Sequence, residues 1–351
     1  MNKCLDIAKK LINEKSLSVD EYEYLIENRT KQIEELLRKE AVKLREEVYG
    51  KDIYIRGLIE ISNICKNDCY YCGIRKSNRK CKRYRLNKED ILLCVIHGYK
   101  LGFRTFVLQG GEDSFYKDDI LTDIVKSIKV IYPDVAVTLS LGERTKESYK
   151  KLFDAGTDRY LLRHETANEE HYKKLHPGKM SFKNRMECLK NLKEIGYQVG
   201  AGFMVGSPYQ TNRNIAEDLK FIEEFKPDMC GIGPYITHKD TPFKDKKSGS
   251  VDKTCFLLSV IRIINKEVLL PATTALGTMD ENGREKGVLA GANVVMPNLS
   301  PEKAKEKYEL YDNKAHSGLE AAENLKELSK RFEKIGYKIV VSRGDIKKGS
   351  K

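Results

Sequence analysis

The sequence lacks any long apolar run. In its 351 residues no stretch of about 18 apolar residues occurs, and the best candidate, residues 268–275, is interrupted by Pro271 and by threonines. Residues 1–10 also lack the apolar core of a signal peptide. We therefore expect no membrane span and a cytoplasmic protein. In that reducing compartment cysteines are more often ligands, nucleophiles or buried apolar residues than disulfides.

Proline is scarce as well, with nine residues, and no internal repeat or low-complexity linker is visible. Hydrophobic residues make up 40% and charged residues 33% of the chain. This composition is typical of a folded globular protein, and it excludes collagen-like, disulfide-miniprotein and wholly disordered classes. The length suits two ordinary domains or one α/β barrel.

Basic residues exceed acidic ones, 64 against 52, which leaves a formal net charge of +12. A basic stretch at residues 74–85 could bind phosphate groups, so an RNA-binding protein is one competing interpretation. Lysine is spread over the whole chain, however, and a solvated surface is the usual explanation of such a pattern. We therefore expect no nucleic-acid partner.

The first fifty residues predict helices. Ser18 and Glu21 have the spacing of a capping box, and Ile33, Leu37 and Leu44 recur at helical intervals. From residue 53 onward short β-branched runs alternate with amphipathic stretches, as in βαβ units. We expect three parts, which are a helical lead-in over 1–50, a barrel domain with a helical closure over 51–345, and a basic tail over 346–351.

Eight runs in the barrel part read as strands. They cover residues 53–62, 104–109, 135–141, 159–163, 198–205, 228–233, 268–273 and 293–296. Eight strands separated by helices predict an α/β fold, a complete (β/α)8 TIM-type barrel with its active site at the carboxyl ends of the strands. An open doubly wound sheet is the alternative. A last helix is expected over residues 318–335.

Three cysteines, Cys65, Cys69 and Cys72, follow the first predicted strand in a C-x3-C-x2-C spacing. A compact loop with three thiolates suits a cubane iron–sulfur cluster, in which a fourth iron stays open to a substrate. The competing interpretation is a structural zinc site completed by Cys81. Zinc motifs usually pair two C-x2-C knuckles, and no second pair exists here.

With Tyr71 at its aromatic position, this cysteine motif resembles that of the radical S-adenosylmethionine (SAM) superfamily. The resemblance implies one 4Fe-4S cluster on the three cysteines and SAM on the fourth iron. One-electron reduction by an external donor would then split SAM into methionine and a 5′-deoxyadenosyl radical. Gly110, Gly111 and Glu112, at the end of the second strand, resemble the superfamily's Gly-Gly-Glu segment, which holds the SAM amino group.

Further polar residues follow the other strands. Hydroxyl groups at the ends of barrel strands point into the mouth of the barrel and can hydrogen-bond a small polar substrate, whereas tyrosines there can close the cavity. Four segments together resemble the HydE family of FeFe-hydrogenase maturases, from about residue 53 to the last helix. These segments are Arg163-His-Glu-Thr-Ala-Asn168, Thr138-Leu-Ser-Leu-Gly-Glu143, Pro271-Ala-Thr-Thr-Ala-Leu-Gly277 and Leu310-Tyr-Asp-Asn-Lys314.

This resemblance implies that Glu165 and Arg185 contact SAM. It also implies a substrate cavity lined by Thr138, Arg163, Thr273, Thr274, Tyr308 and Tyr311. The expected substrate is small or organometallic, a cysteine-bound iron carbonyl cyanide synthon made by a partner maturase and used for the two-iron hydrogenase cofactor.

Many HydE sequences carry an accessory cysteine triad near the C-terminal end, but this chain has no cysteine after Cys255. We therefore expect no second cluster. A methylornithine synthase-like enzyme stays open as the nearest alternative. Biotin synthase fits less well, because its second cluster needs several cysteines on barrel strands and Cys230 is the single candidate.

Overall fold

Short parallel strands alternate with helices in residues 3–314 and 322–349, which this computed structural model describes. The helices are α1 Lys3–Glu14, α2 Val19–Glu27, α3 Lys31–Tyr49, α4 Lys88–Lys100, α5 Asp118–Ile131, α6 Lys146–Asp154, α7 Glu169–Leu175, α8 Phe182–Ile195, α9 Asn212–Phe225, α10 Val251–Ile264, α11 Thr274–Met279, α12 Gly283–Leu289, α13 Glu302–Lys305 and α14 Leu325–Lys334. The strands are β1 Asp52–Ile55, β2 Gly57–Ser62, β3 Thr105–Gly110, β4 Ala136–Ser140, β5 Arg159–Leu161, β6 Gln198–Ala201, β7 Met204–Val205, β8 Met229–Cys230, β9 Gly233–Pro234, β10 Val294–Val295 and β11 Lys338–Val340.

Six strands form one parallel sheet in the order β2-β3-β4-β5-β6-β8. Side chains alternate between the two faces of a strand. On β4, the apolar residues Val137 and Leu139 are buried on the face that packs on the helices, whereas Ser140 lies on the opposite face of the sheet. Consecutive parallel strands need crossover connections, which are usually right-handed, and here helices form these connections. The carboxyl ends of the six strands therefore meet on one side of the molecule.

The predicted first strand, residues 53–62, is in fact divided at Arg56 into β1 and β2. β1 belongs to a separate parallel sheet in the order β10-β1-β11. The strand β11, which follows the last helix, was not predicted, although Ile339, Val340 and Val341 form a short β-branched run after Lys338. The predicted strand 268–273 makes isolated bridges only, in keeping with Pro271, which has no backbone N–H to donate.

The N-terminal helices pack on helices that connect the strands, α2 against α9 and α3 against α10. The capping box is confirmed, because the Ser18 hydroxyl accepts from the Glu21 N–H and the Glu21 carboxylate accepts from the Ser18 N–H. Residues 318–321 of the predicted last helix lie outside the described residues, and α14 covers most of the remainder. Among the described residues no helix has both the length and the apolar character that a membrane crossing needs.

Candidate active site

A cavity of about 340 Å³ lies at the carboxyl ends of the sheet strands. It is lined by polar residues from several strands and by the cysteine loop that follows β2. The sequence-predicted residues on its wall are Cys65, Cys69, Tyr71, Cys72, Gly110, Gly111, Glu112, Arg163, Glu165, Arg185, Thr273, Thr274, Tyr308 and Tyr311. The fold therefore gathers residues that are up to about 250 positions apart in the chain around a single space.

The cysteine loop packs closely on the loop after β3. The backbone N–H of Glu112 donates to the Cys65 sulfur at 3.4 Å, and the N–H of Lys66 donates to the Glu112 carbonyl at 2.9 Å. A Cβ on Gly111 would lie 2.3 Å from the Ile64 carbonyl oxygen and 2.8 Å from the Cys65 Cβ. The two loops can approach this closely only because residue 111 is glycine.

Burial raises the pKa of each of the three thiols, that of Cys72 to about 12, and the neighbouring thiols add to the effect for Cys69 and Cys72. Bound iron reverses this preference, because a metal cation favours the thiolate. Within 3–314 and 322–349 no three His, Cys, Asp or Glu side chains converge tightly enough for a single metal ion. A cubane does not require such convergence, since each cysteine binds a different iron.

The zinc interpretation finds little support in this geometry. Cys81 does not line the cavity, and its sulfur instead accepts from the Asn63 amide at 3.5 Å. Three cysteines around a cavity, with all thiols free of disulfides, fit a cluster with an open coordination site better than a closed four-thiolate zinc site.

Tyr71 is held by a buried histidine. The His176 Nδ1 lies 2.9 Å from the Tyr172 carbonyl oxygen, so Nδ1 carries the proton. The other ring nitrogen, Nε2, therefore accepts from the Tyr71 hydroxyl at 3.1 Å. Burial lowers the pKa of His176 to about 3, which keeps the ring neutral and this tautomer fixed.

Arg185, on α8, is buried among acidic partners. Its Nε donates to the Glu143 carboxylate at 2.6 Å, and its Nη1 donates to the Arg163 carbonyl at 3.0 Å. Glu112 lies 4.0 Å from the same guanidinium. Although burial acts in the opposite direction, these acidic neighbours raise the pKa of Arg185. The arginine thus connects the loops after β3, β4 and β5 around the cavity.

Several polar atoms on the cavity wall form no hydrogen bond in the part of the chain that the structure describes. Among the described residues, Arg163 Nε and Nη2, Glu165 Oε2 and Thr273 Oγ1 are buried without a hydrogen bond. Arg163 Nη2 lies 3.1 Å from Glu165 Oε2, which is ion-pair distance, but the two are not aligned as a hydrogen bond. Buried polar atoms are usually satisfied, so these atoms fit a site that binds a polar ligand.

The turn that carries Arg163 and Glu165 is held by hydrogen bonds to Gly202 and by the contact of His164 with Asp218. Glu165 has a φ of +66°, an unusual conformation for a residue with a side chain, and its N–H donates to the Gly202 carbonyl at 3.0 Å. The Gly202 N–H donates to His164 Nδ1 at 3.2 Å, while His164 Nε2 lies 3.3 Å from Asp218 Oδ1. His164 is therefore structural, and burial lowers its pKa to about 3.

Thr138 is the one predicted site residue that does not line the cavity. It lies on the same face of β4 as Ser140 but two residues earlier, which places it about 7 Å farther from the carboxyl end of the strand. There it borders a separate small cavity beside Arg56 and Arg159. Ser140, which was not singled out, takes the place on the wall.

Two further residues of the wall, Glu60 and Gln109, were not predicted from the sequence. Glu60 of β2 is fully buried and forms an ion pair with Lys314, and the Asn298 amide donates to its other oxygen at 3.0 Å. A charged residue in the apolar strand Gly57–Ser62 was the signal that could have revealed this site. Near it, the Gln109 amide donates to the Tyr308 hydroxyl at 3.4 Å.

Comparisons with known proteins identify the family of this chain. The family model of the Radical SAM superfamily matches residues 59–222. This chain is accordingly a radical SAM enzyme that uses a 4Fe-4S cluster and S-adenosylmethionine. It is 47% identical over 280 residues, 80% of each chain, to the [FeFe] hydrogenase maturase subunit HydE of Thermotoga maritima. The chain belongs to the HydE family.

More distant relatives share the fold. The 3-methylornithine synthase of Methanosarcina acetivorans is 27% identical over 94% of this chain and 92% of its own length. The crystal structure of methylornithine synthase (PylB) superposes with a TM-score of 0.82 at 24% identity, covering 95% of this chain and 97% of that chain. The radical SAM α/β fold is thereby confirmed.

Proposed function

We propose that this maturase acts on a cysteine-bound iron carbonyl cyanide complex, which another maturase supplies for the two-iron hydrogenase cofactor. The observation that carries the proposal is the Arg163 guanidinium, which borders the cavity and whose Nε and Nη2 donate no hydrogen bond among the described residues, although Nη2 lies at ion-pair distance from Glu165. Carboxylate and cyanide groups are acceptors that a charged fork of N–H donors suits. The reacting atom is the sulfur of the bound cysteine.

Cys65, Cys69 and Cys72 hold the cluster in this proposal, and all three border the cavity. When bound, the reduced cluster supplies the electron that splits SAM into methionine and a 5′-deoxyadenosyl radical. Tyr71 covers the cluster loop, and its hydroxyl is fixed by His176.

Glu112 and the backbone of Gly110 and Gly111 accept hydrogen bonds from the SAM amino group, as the position of this loop beside Cys65 supports. Glu165, whose Oε2 accepts no hydrogen bond in the described structure and lies 3.1 Å from Arg163 Nη2, faces the ribose hydroxyls or the sulfonium. Arg185 orients this end of the site through Glu143 and the Arg163 carbonyl.

The substrate lies on the opposite wall. Arg163 and the unpaired hydroxyl of Thr273 bind its polar groups. Thr274, Tyr308 and Tyr311 complete this wall, and the Tyr308 hydroxyl is oriented by Gln109. The assignment of Thr138 to the substrate is replaced by Ser140, which borders the same cavity.

We also propose that the sheet closes into a complete eight-stranded barrel, with residues 268–273 as the seventh strand. Single parallel bridges support this closure, Met229 with Leu269, Pro271 with Val294, and Leu58 with Asn298. Residues 51–345 would then be the catalytic domain, preceded by the helical lead-in over 1–50 and followed by the basic tail over 346–351. The other maturases and an external electron donor are its partners in the cytoplasm.

The test is anaerobic reconstitution with iron and sulfide, followed by chromatography for 5′-deoxyadenosine after SAM and dithionite are added. A synthetic cysteine-bound iron carbonyl cyanide complex should raise its formation and should itself be consumed. Formation of 5′-deoxyadenosine without any response to the complex would refute this substrate. Formation of 3-methylornithine would instead favour the activity named for the more distant relatives.

A further inference from the structure

A basic segment, residues 74–85, covers the outer side of the cysteine loop. The Lys76 N–H donates to the Asn67 carbonyl at 2.8 Å, and the Ser77 N–H and hydroxyl donate to the Asp68 carboxylate at 2.9 and 2.6 Å. Asn67 and Asp68 lie between the first two cysteines. The segment thus lies directly against the part of the chain that we assign to the cluster.

Arg83 fixes the shape of this segment. Its Nη1 donates to the carbonyls of Asn63 and Ile74 at 2.5 and 2.7 Å, and its Nη2 donates to those of Arg75 and Asn78 at 2.6 and 3.2 Å. One guanidinium therefore gathers four carbonyl groups of the loop. The exposed side chains of the segment project from a fixed backbone.

Some cations of the segment are neutralised and others are not. The pairs are Arg75 with Asp68 at 2.9 Å, Lys80 with Asp240 at 2.8 Å and Arg85 with Asp113 at 2.6 Å. Lys76, Arg79 and Lys82, here called the basic face, are exposed, and no carboxylate of the described residues forms an ion pair with them. The basic face presents unneutralised positive charge over the cysteine loop.

We propose that the basic face docks a small acidic one-electron carrier protein, such as a ferredoxin, which reduces the cluster. This inference rests on the proposed assignment of the cluster to Cys65, Cys69 and Cys72. One electron passes from the reduced carrier to the cluster, the carrier is oxidised by one electron, and no bond or proton is transferred. Complementary charge speeds such an encounter and sets its orientation.

An acidic protein fits this face better than RNA. The free cations are interleaved with neutralised pairs rather than forming a continuous track for a phosphate backbone. RNA-binding surfaces also offer exposed aromatic rings for stacking. The tyrosines nearest the basic face are occupied, because Tyr70 packs on Phe243 with ring centroids 6.0 Å apart and the Tyr84 hydroxyl donates to the Glu60 carbonyl.

The experiment compares two triple variants of the reconstituted full-length protein. One carries Lys76→Glu, Arg79→Glu and Lys82→Glu. The matched control carries Lys9→Glu, Lys126→Glu and Lys330→Glu, which change the formal charge equally at exposed positions of α1, α5 and α14. Stopped-flow absorbance follows reduction of the cluster by a reduced acidic ferredoxin and, separately, by dithionite, at low and high salt.

We expect ferredoxin-driven reduction to slow at least tenfold in the first variant at low salt, with most of the salt dependence lost, whereas dithionite-driven reduction stays as in the wild type. The control variant should match the wild type with both reductants. Equal ferredoxin rates in both triple variants would overturn the proposal. So would salt-sensitive binding of a single-stranded RNA oligonucleotide that is lost in the first variant while its ferredoxin rate is kept.

Failure of the proposed function has a different signature. If the proposed substrate is wrong, the wild-type protein would form 5′-deoxyadenosine with dithionite but would not respond to the iron carbonyl cyanide complex. If the cluster assignment is wrong, the wild-type protein would take up no cluster. The docking proposal is judged on reduction of the cluster alone, in protein whose iron and sulfide content has first been matched between variants.

Discussion

Glu60 and Lys314 form a buried ion pair in the cavity wall, although 254 positions separate them. Glu60 is fully buried, and Lys314 also donates to the Tyr308 carbonyl at 3.1 Å. The ion pair links the segment after β10 to the strand β2. Because both charged groups are buried and lose their hydration, each is stabilised by the charge of the other.

We predict that Lys314→Met lowers the free energy of unfolding by about 3–5 kcal/mol, since it leaves the Glu60 carboxylate buried and unpaired. The double variant Glu60→Gln, Lys314→Met should recover most of this loss. Lys330→Met, at an exposed position, should change stability by less than about 0.5 kcal/mol. Denaturant titration measures all three, and equal losses in the single and double variants would contradict the pairing.

A second prediction concerns the cysteines. Cys69→Ala should abolish cluster binding and 5′-deoxyadenosine formation, because a cubane held by two thiolates is no longer anchored at three irons. Cys81→Ala is the matched control and should retain both, since Cys81 is outside the cavity wall. Iron and sulfide analysis with electron paramagnetic resonance checks the result. Retention of zinc by the wild type, and its loss in both variants, would instead establish a four-cysteine zinc site.

Local patterns in the sequence predicted the local features well. The capping box needs only Ser18 and Glu21, and the cysteine loop needs only a spacing of eight residues, so both could be recognised without the fold. The six strands of the sheet β2-β3-β4-β5-β6-β8 overlap runs that were recognised in the same way, from short apolar segments between amphipathic stretches. Radical SAM chemistry and the HydE family are confirmed by the comparisons.

Features that depend on distant partners could not be predicted. The division of the first strand at Arg56 follows from the pairing of β1 with β10 and β11, and β11 is only three residues long. The distance of Thr138 from the cavity depends on where β4 ends relative to the cavity. The alternation of side chains predicts which face of the strand Thr138 lies on, but not its position along the strand. Lys314 reaches Glu60 only once the chain after β10 crosses the cavity.

A third prediction concerns pH. The folded protein keeps His176 neutral with a pKa of about 3, against an ordinary value of 6.5, because the ring is buried and Arg185 and His171 oppose its charge. Between these values the unfolded chain binds a proton that the folded chain does not, so stability rises with pH and is fully present above about 6.5. Lowering the pH from 7 to 5 should therefore cost about 2 kcal/mol through this group.

The contribution of His176 can be isolated by comparing slopes. In His176→Phe the loss of stability between pH 7 and pH 5 should be smaller than in the wild type by about 2 kcal/mol. Leu93→Phe, at an exposed position on α4, introduces the same side chain without removing a titratable group and should leave the slope unchanged. Denaturant unfolding at both pH values provides the measurement. An unchanged slope in His176→Phe would mean that His176 is not held neutral in the folded protein.

The last prediction separates substrate binding from SAM cleavage. Arg163→Met removes guanidinium donors that make no hydrogen bond among the described residues, together with the ion pair to Glu165, but leaves the backbone carbonyl that Arg185 contacts. Losing a charge-assisted hydrogen bond to an anionic substrate costs about 1.5–3 kcal/mol, or roughly a 10- to 100-fold rise in the KM for that substrate. The KM for SAM should rise much less, because Glu165 stays in place after it loses its ion pair with Arg163, and 5′-deoxyadenosine formation without substrate should stay close to the wild-type rate. Arg144→Met, outside this wall, is the control. An equal rise in both KM values in Arg163→Met would move Arg163 from the substrate to the SAM side of the cavity.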